Sequence, residues 1–154
     1  MNIQKFTQKS IEAIQLAEKT ASEHGNQRID QEHLLYALLT QEEGLLPKLV
    51  TKMEIQLPYF RNSVLQLVEK LPKVSGGQAY ISQELNDVLN FAEDEAKPFG
   101  DEYVSVEHLF LAMQKRPNRA IKELFREFGI TKERFLQALQ EVRGNQRVTS
   151  DQPE

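Results

Sequence analysis

The chain has 154 residues, no cysteine and a formal net charge of −4, from 19 basic and 23 acidic side chains. This length suits one medium-sized domain that folds without a metal or a disulfide. The absence of cysteine excludes disulfides, thiolate metal sites and cysteine nucleophiles, and it fits a reducing, cytoplasmic location. Because no basic run stands out and the apolar runs are short, we expect neither a nucleic-acid partner nor a membrane span.

The most informative feature is an internal repeat with an offset of 75 residues. At this offset residues 6–68 align with residues 81–143 without a gap, with 12 identities in 63 pairs. The segment EHLLYA at 32–37 falls on EHLFLA at 107–112. Such a match indicates two copies of one supersecondary unit.

The first helix of each copy is predicted from apolar residues at helical spacing. Gly25 and Gly100 stand where these helices should end, as glycine C-caps do. In the second copy the apolar stripe comprises Leu85, Val88, Leu89, Ala92 and Ala96.

Three more helices are predicted in each copy. Asp30 and Ser105 should cap short second helices, because their side chains accept hydrogen bonds from first-turn N–H groups. Third helices are expected near 45–53 and 119–128, and fourth helices near 58–71 and 132–142, with Thr131 capping the last one. We therefore predict an all-α fold of eight helices, in which two tandem, pseudo-twofold four-helix repeats form one globular domain.

The domain boundaries follow from composition. Repeat one should span about 1–71 and repeat two about 81–143, so that the domain ends near residue 143. Residues 72–80 are rich in glycine and proline and are predicted to link the repeats. Residues 144–154 are polar and non-periodic, and we expect them to form a flexible linker to a part of the protein outside this chain.

No catalytic chemistry is evident in the sequence. A phosphate-binding loop requires a glycine followed by lysine, and none of the seven glycines is followed by lysine. His33 and His108 lack the spacing of metal ligands, and repetition of the unit explains their pairing. His24 ends the first helix, where a cation is mildly favourable. We expect no catalytic residue, no metal site and no cofactor in this chain.

Two gapless four-helix units, each with an EHL box, resemble the N-domain that precedes the ATPase rings of Clp chaperones. The segments at 71–76, 101–112 and 143–154 resemble the ClpB type rather than ClpA or ClpC. The ClpC pattern has Gly-Thr before each Glu-His pair, whereas this chain has Asp-Gln at 30–31 and Ser-Val at 105–106.

The resemblance implies a function for the chain and for its parent protein. The parent would be an ATP-driven disaggregase that forms homohexamers, binds ATP in its ATPase modules and works with the DnaK system. This domain would bind unfolded or aggregated polypeptides and deliver them to the ring. The alternative is docking of an adaptor or of phosphoarginine, as in ClpA- and ClpC-type N-domains. A small helical enzyme, a third possibility, would need a nucleophile–base pair that the sequence does not offer.

The resemblance also implies a polar substrate-binding site. Its residues would be Thr7 with Glu32, Ser82 with Glu107, and Asp101. A structural interpretation of the same residues is that the glutamates stabilise helix dipoles, by about 0.3–1 kcal/mol each. On that interpretation Thr7 and Ser82 are helix caps.

Leu16 and Phe91 suggest a second, apolar site. They coincide in the repeat, yet each lies roughly 120° from the centre of its helix's apolar stripe at 100° per residue. A large apolar residue off the stripe is either buried by another element or exposed for binding. We expect Phe91, with Leu89 and close to the His108 helix, to line a shallow groove for unfolded chains. The alternative is packing between the repeats.

Overall fold

The computed structural model describes residues 3–144 and 147–151. Two-residue strands, β1 (Arg28–Ile29) and β2 (Tyr80–Ile81), and short 3-10 turns at Ile3–Lys5 and Lys97–Phe99 accompany the helices. The predicted all-α fold is confirmed. Its eight α-helices among the described residues are α1 (Gln8–Glu23), α2 (Gln31–Thr40), α3 (Leu45–Lys52), α4 (Leu57–Glu69), α5 (Gln83–Ala96), α6 (Val106–Lys115), α7 (Arg119–Glu127) and α8 (Lys132–Arg143).

Most predicted helix boundaries hold to within one or two residues because the terminal signals are local, although α5 ends at Ala96 and a 3-10 turn continues to Gly100. Asp30 and Ser105 head α2 and α6, and Thr131 accepts a hydrogen bond in the first turn of α8. Gly25 and Gly100 adopt left-handed φ angles of 69° and 70°. A side chain with a Cβ rarely adopts that conformation, so glycine ends the helical segment there.

The opening segment of each repeat pairs with the other repeat. Ile81, just before α5, pairs in parallel with Ile29, just before α2. Phe6, just before α1, forms the equivalent parallel bridge to Val104, just before α6. The two pairings are related by the repeat offset, which accounts for the pseudo-twofold arrangement. Each involves too few residues to leave an alternating pattern in the sequence.

The core is one continuous cluster that takes residues from both repeats. Helices α2 and α6 are buried almost throughout, since they are apolar on nearly every side after their first turn. Phe110 of α6 packs against Phe125 and Phe135, with ring centroids 5.3 and 4.6 Å apart. The domain is therefore built around two central helices, one from each repeat. No helix in the described part of the chain is long and apolar enough to cross a membrane.

Residues 147–151, which belong to the segment expected to be a flexible linker, make defined contacts with the domain. Val148 is only 5% exposed, and its carbonyl accepts hydrogen bonds from the N–H groups of Glu102 and Tyr103. One buried valine within a polar stretch has no periodic signature, so composition does not predict this contact, and the linker role of residues 144–154 stays a prediction. The other tail residues, 145, 146 and 152–154, lie outside the described residues.

Candidate functional site

The histidine of each EHL box is a structural residue. His33 Nδ1 accepts the N–H of Asp30 at 2.9 Å, and His108 Nδ1 accepts the N–H of Ser105 at 2.8 Å. Each histidine thus completes a capping box, in the position that glutamate or glutamine usually takes. Burial lowers the pKa of both histidines to about 4, so both rings are neutral at pH 7. The structural role predicted for this pair fits the geometry.

Glu32 of repeat one and Ser82 of repeat two, two of the predicted site residues, lie inside the contact between the repeats. Glu32 is buried, and its Oε1 accepts a hydrogen bond from Asn118 Nδ2 at 2.9 Å. Burial raises the pKa of Glu32 above its usual value, although the Asn118 bond opposes this effect. Ser82 caps α5, and its hydroxyl donates to Asp30 Oδ1 at 2.9 Å.

In repeat two, Asp101 and Glu107 share one guanidinium group. Arg143 Nη1 donates to Glu107 Oε2 at 3.3 Å, and its Nη2 donates to Asp101 Oδ1. The other carboxylate oxygen of Asp101 lies 2.7 Å from His108 Nε2. Glu107 Oε1 is buried and has no hydrogen-bond partner among the described residues. The cluster therefore contains two buried acids for one arginine.

The pKa values of the two acids in this cluster shift in opposite directions. Burial raises the pKa of Glu107 to about 7, because a backbone N–H and the Arg143 guanidinium together do not compensate for lost hydration. Burial would also raise the pKa of Asp101, but the hydrogen bonds from Arg143 and from the Val148 N–H outweigh it and lower that pKa. Asp101 is therefore the permanent anion, and Glu107 titrates near neutral pH.

The polar residues predicted to contact substrate are thus not presented at the surface. Thr7 is buried and caps α1 by accepting the Ser10 N–H, as Ser82 caps α5. The side chains of Asp101 and Glu107 are buried as well. In the structure these groups make intramolecular caps and pairs, because the segments that carry them face other elements of the domain. Their role in binding stays a prediction that would need local opening.

Phe91 is the predicted site residue that does lie at the surface. It is 38% exposed on α5, and the Arg116 guanidinium lies 3.8 Å from its ring centroid. Asp87 and Asp94 stand four residues before and three after it on the same helix, so acidic groups flank the ring. The arrangement is an exposed aromatic ring with a cation stacked on it and acids beside it.

The groove expected around Phe91 is only partly realised. Leu89 is buried in the core, so it cannot line a surface groove, and Leu16 is half-buried against the same core. The repeat equivalence of Leu16 and Phe91 therefore does not extend to their exposure. Two surface cavities, of about 310 and 570 Å³, have linings that do not include Phe91.

Sequence reasoning missed the partners of the buried acids. Arg143 follows Asp101 by 42 residues, and Asn118 follows Glu32 by 86. Such separations leave no local pattern. The sequence did offer one signal: Glu32 and Glu107 stand at the starts of otherwise apolar helices. A carboxylate that is buried there requires a hydrogen-bonding partner.

Fold and site together define an all-helical tandem-repeat domain. In the described ranges, no group of three or more histidine or acidic side chains is placed to hold a metal ion.

The chain belongs to the Clp repeat (R) N-terminal domain family, whose model matches residues 5–128. It is 42% identical over 160 residues to the chaperone protein ClpB of Nitratidesulfovibrio vulgaris and 40% identical over 159 residues to that of Bacillus anthracis. Both matches cover the whole chain, which spans 18% of each relative. The resemblance found in the sequence is confirmed.

Solved structures agree on the fold. The N-terminal domain of Hsp104 from Candida albicans superposes with a TM-score of 0.83 at 26% identity, covering 96% of this chain and 97% of that one. A ClpV N-domain solved in complex with a VipB peptide has a TM-score of 0.74 at 17% identity, covering 97% of this chain and 92% of that one. The second likeness concerns the fold alone.

Proposed function

We propose that this chain is the polypeptide-binding N-domain of an ATP-dependent protein disaggregase. It engages misfolded or aggregated proteins and delivers them to an ATPase ring, and it has no catalytic role of its own. Its parent forms homohexamers in the cytoplasm, binds ATP in its ATPase modules and acts with the DnaK system. The ClpB relatives support this proposal.

The observation that carries the proposal is the exposed Phe91 ring. Burying apolar surface stabilises a complex by about 25 cal/mol per Å² before association costs are subtracted. One ring of this size gives weak binding that depends little on client sequence, which suits a protein that meets many misfolded chains. Asp87 and Asp94 add attraction for basic residues beside a client's apolar segment.

Replacing Phe91 with serine should weaken binding of an unfolded model protein severalfold while the domain stays folded. Phe91 is 38% exposed, so its replacement should lower the free energy of unfolding by less than the roughly 3 kcal/mol or more that replacement of a fully buried phenylalanine costs. Fluorescence anisotropy of a labelled, permanently unfolded protein gives the affinity, and thermal melting gives the stability.

Val142→Ser is the matched control, because Val142 has nearly the same exposure, 37%, on a different surface. It should leave client binding unchanged. Equal affinity for Phe91→Ser and the unsubstituted chain would contradict the proposed site, and so would a large loss of stability in Phe91→Ser.

Docking of a folded adaptor is a second candidate, favoured by the open groove of about 570 Å³ between α3 and α8. Two lysines flank its apolar floor, and the lining residues are Pro47, Lys48, Thr51, Lys52, Leu57 and Val142. A salt-sensitive, stoichiometric complex that is lost in Val142→Ser but kept in Phe91→Ser would favour it. Capture of phosphoarginine by Asp101 and Glu107 is less favoured, because the Arg143 guanidinium already pairs with both acids.

A further inference from the structure

In repeat one, Asn26 holds the chain that leaves α4. His33 Nε2 lies 2.9 Å from Asn26 Oδ1, and the proton is on Nε2 because Nδ1 accepts a backbone N–H. The amide so oriented donates from Nδ2 to the carbonyls of Leu71 and Pro72, at 3.4 and 3.1 Å. The EHL histidine, one asparagine and the exit segment of the repeat thus form one hydrogen-bonded unit.

Repeat two contains the same unit with Asp101 in place of Asn26. His108 Nε2 donates to Asp101 Oδ2 at 2.7 Å. Asp101 Oδ1 accepts the backbone N–H of Val148 at 2.7 Å and also bonds to Arg143. The segment held here is the one that follows α8. The equivalent side chains therefore both bind the segment that follows the last helix of their repeat, through a neutral amide in repeat one and a carboxylate in repeat two.

The segment 147–151 is held by this carboxylate and by backbone hydrogen bonds to repeat two and to the start of α1. Val148 is buried but does not belong to the continuous core cluster. The Glu102 N–H donates to the Val148 carbonyl at 2.8 Å, and the Gln8 N–H donates to the Asp151 carbonyl at 2.8 Å. Because Val148 lies outside the core cluster, we expect detachment of the segment to leave the core packing of the eight helices in place.

We propose that Asp101 is a positioning residue that clamps residues 147–151 onto repeat two, and that this clamp opens without unfolding of the domain. Asn26 is the counterpart of Asp101 in repeat one. The segment that Asn26 holds cannot detach in the same way, because it is continuous with repeat one at one end and with repeat two at the other. The state of the Asp101 clamp determines whether residues 147–151 move with the domain or independently of it. This inference does not depend on client binding at Phe91.

The clamp depends on the negative charge of Asp101, which lets one side chain accept hydrogen bonds from several donors. Its carboxylate is faced by Arg143 from α8, by His108 and Glu107 from α6, and by the N–H of Val148. A carboxylate accepts from all three donors, and bonds to an ionised acceptor are roughly twice as strong as neutral ones. An asparagine at 101 cannot serve them all, since one of its two terminal atoms is a donor.

Amide hydrogen exchange measured by NMR tests the clamp. In Asp101→Asn, the amides of Val148, Glu102 and Tyr103 should exchange at least about tenfold faster, a local opening, while core amides such as that of Leu109 keep their rates. Val148→Ser should give the same local acceleration with Asp101 intact. Asn26→Ala is the matched control: it should accelerate Val74, whose N–H donates to Gly25, and leave Val148 unchanged.

Two results would overturn the proposal. Unchanged exchange at Val148 in Asp101→Asn would show that the carboxylate does not hold the segment. Acceleration of the Leu109 amide to the same extent as that of Val148 would show that Asp101 supports the whole fold rather than positioning one segment.

Discussion

Replacing Gln31 with alanine should lower the free energy of unfolding by about 3 kcal/mol, because buried polar groups left without partners cost about 1–3 kcal/mol each. Gln31 is fully buried at the start of α2. Its Nε2 donates to the carbonyls of Glu84 and Arg116, at 3.1 and 2.8 Å, and its Oε1 accepts the Asn118 N–H at 2.8 Å. All three partners belong to repeat two, so the substitution removes a polar connection between the repeats.

Urea denaturation followed by circular dichroism would measure this loss. Gln27→Ala is the matched control, since the Gln27 amide also donates to a backbone carbonyl, that of Gln78, but in an exposed position. It should cost no more than about 0.5 kcal/mol, as surface substitutions usually do. Similar losses for the two variants would mean that the buried inter-repeat hydrogen bonds contribute little.

Replacing Glu107 with glutamine should change the pH dependence of stability. Burial raises the pKa of Glu107 from 4.5 to about 7 in the folded state, so the folded protein binds a proton that the unfolded chain has released between these pH values. The stabilisation from that proton is fully present below pH 4.5 and is lost as the pH rises through 7. Glutamine mimics the protonated acid and does not titrate.

The Gln variant should therefore become more stable relative to the unsubstituted chain as the pH rises from 4.5 to 8, by up to about 3 kcal/mol. The lowered pKa values of His33 and His108 act in the opposite direction, since stability falls as pH drops from 6.5 towards 4. That effect is common to both proteins and cancels in their difference. Denaturation at pH 5, 6, 7 and 8 measures the difference in the free energy of unfolding between the two proteins. A difference that is constant or shrinks as the pH rises would contradict the raised pKa of Glu107.

The helices and their caps could be predicted because their signals are local. An apolar stripe, a glycine at Gly25 or Gly100, and a capping side chain at Asp30, Ser105 or Thr131 all act within a few residues. The repeat predicted the arrangement of two four-helix units in one domain, because a unit that occurs twice buries its apolar face against its copy.

The candidate site could be predicted only in part. Glu32 and Glu107 were correctly assigned to first turns, but a helix start gives no indication of whether it faces water or another repeat. Burial depends on contacts such as Asp101 with Arg143, far apart in the chain. The exposure of Phe91 could be predicted because an off-stripe phenylalanine departs from the helix's own pattern, whereas the stacking of Arg116 on it left no signal in the sequence. The role of Phe91 in binding stays a prediction.

Chemical-shift mapping of the ¹⁵N-labelled chain with an unlabelled, permanently unfolded protein tests the proposed client-binding surface most directly. We expect the perturbed amides to cluster around Phe91 on α5 and Arg116 at the end of α6, with the cluster lost in Phe91→Ser and kept in Val142→Ser. Perturbations confined to the buried acids Glu32 and Glu107, or to the groove between α3 and α8, would contradict it.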